Sequence, residues 1–131
     1  MRLHHVQVTC APWREDLARR FYGAGLGLVE VDKPEPLTSL GGIWFRSFSA
    51  LGAVEAEIHV GLEDPLTPAR RAHPALLCAT VTALDEVAER LGDLGFEVDR
   101  RHRDTYPGYE RLHTHDAEGN RVELMAPAGP F

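Results

Sequence analysis

Apolar residues recur along this chain of 131 residues in two rhythms, and the pair of rhythms occurs twice. From Leu3 to Cys10 they alternate, with Val6, Val8 and Cys10 on one face and His5, Gln7 and Thr9 on the other. Period two predicts a strand. Pro12 and Trp13 end it. Glu15 to Ala24 places Leu17, Phe21 and Ala24 inward at helical spacing, and Glu15 and Asp16 suit the positive end of that helix. Gly25 and Gly27 let the chain stop and turn. Leu28 to Val31, Gly42 to Phe48 and Val54 to Val60 read as strands, and the two prolines between Asp32 and Leu40 mark a loop.

The second half follows the same order. His73 to Val81 predicts a strand, and Leu84 to Leu94 a helix with Leu84, Val87, Leu91 and Leu94 inward. Gly95 stops the helix, and Phe96 to Asp99 is a strand. Arg100 to Gly108 is a loop. Tyr109 to His115 and Arg121 to Met125 form a hairpin around Asp116-Ala117-Glu118-Gly119-Asn120, whose Gly-Asn supplies turn residues. The tail from Ala126 to Phe131 is rich in Pro and Gly and reads as loose. One strand–helix–strand–strand–strand unit cannot bury both faces of its sheet. The expected fold is therefore α+β: two tandem βαβββ modules forming a curved, cup-shaped sheet of eight strands with the helices outside. The chain is expected to be a single domain over residues 1–131, with module 1 at about 3–60, a linker at 61–72 and module 2 at about 73–126.

The repeat carries chemistry. From 5 to 73, and from 57 to 123, the offsets are 68 and 66 residues, so each half contributes one imidazole and one carboxylate at nearly matching places. Parity puts His5, Glu57, His73 and Glu123 on the strand faces opposite the apolar positions. Such a face is often simply wet in antiparallel sheets. The recurrence of His and Glu in both halves points instead to a divalent metal, for which neutral imidazole and carboxylate are suitable donors. Four such ligands leave positions for water or substrate, as a Lewis acid needs. His59 competes with Glu57, one pleat away on the same face; alignment of the halves favours Glu57. His113 shares its face with Tyr109 and Arg111 and reads as supporting the site or touching substrate. His4 falls on the helix-facing side and reads as a core or rim histidine. His102 and His115 read as loop or turn residues.

Composition narrows the classes. A hydrophobic fraction of 44% with 26% charged residues fits a soluble globular protein. The net charge of −6 argues against nucleic acid, which calls for a basic patch. Arg100, Arg101, His102 and Arg103 form the one basic cluster and, flanked by Asp99 and Asp104, read as a solvated loop. No apolar run approaches the ~20 residues of a membrane span. Cys10 and Cys78 occupy equivalent repeat positions and read as reduced core residues of a cytoplasmic protein.

Three segments together resemble the vicinal oxygen chelate superfamily, which groups glyoxalases, bleomycin-resistance proteins and extradiol dioxygenases. They are Leu3-His4-His5-Val6, then Phe21-Tyr22 followed by Leu26-Gly27, and, most specifically, Asp116-Ala117-Glu118-Gly119-Asn120-Arg121-Val122-Glu123-Leu124. Leu112-His113 departs from the aromatic pair usual before that last turn, and Ala117 stands where the family often has proline. The resemblance implies paired βαβββ modules, a U-shaped sheet around a metal and a homodimer. Its metal positions fall on His5, Glu57, His73 and Glu123, with nickel, cobalt, zinc, manganese or iron as the ion. The smaller two-His, one-Glu set falls on His5, His73 and Glu123. It further implies that Glu123, or alternatively Glu57, serves as a base on a carbon acid. Arg46 and Arg111 are candidates for an anionic group of a small-molecule substrate. The reading leans to a metal-dependent lyase or isomerase. The alternatives are a dioxygenase or thiol transferase of the same superfamily and a metal-free drug-binding protein, because a fold does not fix a reaction.

Overall fold

The computed structural model describes residues 1–129, so the expected loose tail falls outside the described residues at positions 130 and 131. The chain divides into two compact units, Met1–Pro68 and the segment from Ala69 onward. In the first, β1 (Val6–Cys10) leads to α1 (Glu15–Ala18), then β2 (Val29–Val31), β3 (Ile43–Phe48) and β4 (Val54–Leu62). In the second, β5 (Ala75–Leu77) leads to α2 (Val81–Asp93), β6 (Val98–Asp99), β7 (Tyr109–His115) and β8 (Arg121–Pro127). The eight strands hydrogen-bond as two sheets of four, ordered β1-β4-β3-β2 and β5-β8-β7-β6. In each, the first strand pairs in parallel with the last, and the other pairs are antiparallel. This is the α+β, βαβββ-type architecture expected, with the pairing that returns the last strand of each unit beside its first.

Each unit covers one sheet face with its helix. In the second, Leu84, Val87, Ala88 and Leu91 recur at helical spacing on α2 and are buried with Leu112, Val122, Leu124 and Ala126 of the strands. The helix begins three residues earlier than expected, because Thr80 caps it: its hydroxyl accepts from the Ala83 amide at 3.1 Å. That shortens β5 to three residues and leaves His73 ahead of it. At the other end Gly95, at φ 90°, closes the helix, with Phe96 N–H donating to the Leu91 carbonyl and Gly95 N–H to that of Gly92. Leu94 is only half-buried.

In the first unit α1 runs on through Arg19–Gly25 as a wider π-type helix, shown by Leu26 N–H bonding the Phe21 carbonyl five residues back. The wider turn brings Ala18, Phe21, Tyr22 and Gly25 inward and leaves Ala24, expected inside, exposed. Tyr22 packs on Phe45 with ring centroids 5.8 Å apart. Three other expectations are corrected. Leu37–Leu40, expected to be a plain loop, forms a turn of 3-10 helix. His4, expected in the core or at its rim, is exposed. Ala126 is fully buried in β8, so the last strand runs on through Pro127 into the segment expected to be loose. The basic loop is solvated at Arg101, which pairs with Asp99. Arg103 instead is largely covered and ties Asp85 of α2 to Glu110 of β7, at 2.7 and 2.5 Å.

The turn between β7 and β8 sets the register that matters for chemistry. Asp116 Oδ1 accepts from the amides of Glu118 and Asn120, and Oδ2 from the Asn120 side chain. Pinned there, the hairpin pairs Leu112 with Leu124 and His113 with Glu123.

Candidate functional site

Four of the acids and imidazoles on the odd-numbered faces are buried, while His5 and His73 are exposed. Glu57, His59, His113 and Glu123 are each less than a tenth exposed. Buried polar groups need partners, and each unit gathers its own.

In the second unit, Glu123 is the centre. His113 stands directly opposite it across the β7–β8 ladder, and His73 reaches it from the segment before β5, with Nε2 at 3.1 Å from Oε2. Arg111 donates to Oε1 at 3.2 Å, and His113 Nε2 lies 3.8 Å from that same oxygen. Donor atoms of His73, His113 and Glu123 all fall within 4.8 Å of one another, the one such group of three among the described residues. The tautomer of His73 follows from its other nitrogen. Nδ1 lies 2.6 Å from the Arg71 carbonyl, which can only accept, so Nδ1 carries the hydrogen. His73 Nε2 is then the atom that faces the Glu123 carboxylate. A hydrogen on Nε2 or a cation between the two atoms joins them there. A backbone carbonyl that fixes a ring in this way is the usual support of a metal-bound histidine.

In the first unit, Glu57 takes a hydrogen bond from His59 Nε2 at 2.9 Å and faces Arg46 across the strand pair, Nε to Oε2 at 3.3 Å. Arg46 Nε is buried without hydrogen-bond geometry to any partner among the described residues. The His59 ring lies between two others, stacked on Trp44 at 3.8 Å between centroids and on His5 at 4.0 Å. His5 is exposed, and its Nδ1 lies 2.9 Å from that of His4.

Electrostatics keep both carboxylates charged. Burial opposes ionisation of Glu123, but the hydrogen bonds from His73 and Arg111 outweigh it and hold the carboxyl below the ordinary glutamate range. Glu57 behaves likewise: burial is overcome by His59 and Arg46. Burial lowers His113, helped by Arg121, and burial lowers His59 despite Glu57. At neutral pH these imidazoles are uncharged and the acids ionised, the protonation states in which each binds a metal.

Of the residues singled out from sequence, the second unit thus joins His73, Glu123, Arg111 and His113, and the first joins His5, Glu57, His59 and Arg46. The internal registers bear on Glu57 and His59. Gln7, two residues past His5, pairs with His59, and Ala75, two past His73, pairs with Glu123. By strand register the counterpart of Glu123 is therefore His59, whereas sequence alignment matched Glu57 to it. The parity reading gave His113 a supporting place and missed its membership in the donor group. Its signal lies in the turn: residues 113 and 123 are equidistant from Glu118, the midpoint of the Asp116–Asn120 turn.

A family model described as the Glyoxalase/Bleomycin resistance protein/Dioxygenase superfamily matches residues 2–124. The chain is 37% identical to a structure described as a glyoxalase family protein from Bacillus anthracis, with TM-score 0.80, covering 98% of this chain and 100% of that one. Two more distant structures share the fold. A glyoxalase/dioxygenase from Nostoc punctiforme has TM-score 0.74 at 20% identity, covering 98% of this chain and 92% of that one. The fosfomycin resistance protein FosX from Listeria monocytogenes has TM-score 0.71 at 19% identity, covering 97% and 91%. A comparison with curated proteins found no significant match.

Proposed function

Because this chain belongs to the glyoxalase/bleomycin resistance protein/dioxygenase superfamily, we propose that it is a divalent-metal-dependent enzyme acting on a small molecule with oxygens on adjacent carbons, by lyase or isomerase chemistry. The observation that carries this reading is the donor group around Glu123, in which His73 Nε2 lies 3.1 Å from a carboxylate oxygen and His113 stands beside it. The residues fit a metal in number and type. The proposal assigns ligand roles to His73 and Glu123 in the second unit. In the first it assigns them to His5 and Glu57, with His59 the alternate that the strand register supports.

A bound nickel, cobalt, zinc, manganese or iron ion would polarise the substrate oxygens. Glu123, or else Glu57, moves the proton at carbon; such general-base work typically contributes 10²–10⁴-fold. Arg46 and Arg111 each hold a guanidinium beside one of these carboxylates and are assigned to an anionic part of the substrate. Burial of Glu57 and Glu123 restricts water at the base. The same reading makes the protein a cytoplasmic homodimer, the compartment resting on its two free cysteines. Among the described residues no helix is long and apolar enough to cross a membrane.

One observation favours the second reading, a metal-free binding protein of the bleomycin-resistance kind. Arg46 and Arg111 already balance the two buried carboxylates, so the site needs no cation for neutrality. Metal analysis and calorimetry on metal-free protein separate the two. The enzyme reading expects one divalent ion per chain, and binding no tighter than millimolar would sink it.

A further inference from the structure

We propose that His113 is itself a metal ligand, so that the second unit carries three protein donors of its own: His73, His113 and Glu123. This rests on the metal-dependent reading above. The family resemblance places the metal on His5, Glu57, His73 and Glu123 but not on His113, and expects an aromatic pair at 112–113, where this chain has Leu112-His113.

Three observations support the assignment. His113 and Glu123 are directly paired across β7 and β8, which directs both side chains to the same face and holds their bases side by side. The imidazole is 5% exposed, and among the described residues its ring nitrogens make no hydrogen bond. Its nearest carboxylate oxygen, at 3.8 Å, is beyond hydrogen-bond reach. No protein group therefore competes with an ion for the lone pair of this ring. Finally, its donor atom stands within 4.8 Å of those of both His73 and Glu123. Donors each about 2.0–2.2 Å from a common ion lie up to roughly 4.3 Å apart, so small side-chain rotations close the set. An aromatic ring there would fill the space and offer no donor.

The test uses the whole metal-free protein titrated with Co(II), read by calorimetry and by the visible absorption of the bound ion. Wild type, His113→Phe and His73→Ala are compared, each first checked for folding by circular dichroism. The expected result is binding by wild type, at least tenfold weaker binding by His113→Phe with a changed visible spectrum, and loss in His73→Ala. Should the Phe variant not fold, His113→Asn takes its place with the same expectation. Wild-type affinity and spectrum in a folded His113 variant, with binding lost in His73→Ala, overturn this inference and leave the metal reading standing. No binding by wild type overturns both.

Discussion

Arg111 holds its charge against the carboxylate to which the proposal assigns a metal. Its guanidinium bonds Glu123 Oε1, and its remaining nitrogens are held by Thr105 Oγ1 at 2.7 Å and the His102 carbonyl at 3.3 Å. The Tyr106 ring lies beneath it, 5.6 Å away. In the metal-free protein this charge helps keep Glu123 ionised. It must also repel a divalent ion arriving at the same carboxylate. A unit charge a few ångströms from a doubly charged ion is worth on the order of 1 kcal/mol even in a water-like dielectric. Arg111→Gln is therefore expected to bind divalent metal about tenfold more tightly than wild type, as measured by calorimetry. Equal or weaker binding would mean that the guanidinium mainly orients Glu123. At this scale the sequence displayed the acids and imidazoles through strand parity. It did not display the arginines' partners, because an ion pair across a sheet depends on register, which parity alone does not set.

The elements owe their limits to short side-chain devices rather than to hydrophobic rhythm. Rhythm located α2 through Leu84, Val87 and Leu91, yet Val81, Thr82 and Ala83 ahead of them, in its first turn, are not fully buried and are placed by the Thr80 cap. Thr80→Ala leaves an amide of that turn without its acceptor and is expected to lower stability by about 1 kcal/mol. Chemical denaturation with an unchanged denaturant slope would read this directly, and an unaltered midpoint would show the cap to be idle. The hairpin tells the opposite story. Its turn motif was visible in sequence, and the hydrogen bonds of Asp116 and Asn120 are what the motif encodes. The π-type stretch over Arg19–Gly25 had no such signal, so the inward positions of the first helix were misplaced at Ala24.

For the whole molecule, the duplication expected from sequence appears as two units with the same strand order. That they form one domain is part of the proposal, as is the homodimer. The probes for the first question are already distributed: Trp13 and Trp44 lie in the first unit, and α2, the longest helix, in the second. Thermal unfolding followed by tryptophan fluorescence and by helical circular dichroism is expected to give coincident transitions. Separated transitions would mean two domains. Sedimentation equilibrium is expected to give twice the chain's mass. What the sequence alone determined is the set of elements, their order in each half, and which residues face away from the core, because periodicity and turn chemistry are local. What tertiary structure decided is which of those residues meet. His113 faces Glu123, and Gln7 faces His59, only once strands distant in the chain have locked in register. Register is fixed by hydrogen-bonded pairing and by burial of one apolar face against a helix, neither of which a single segment can express.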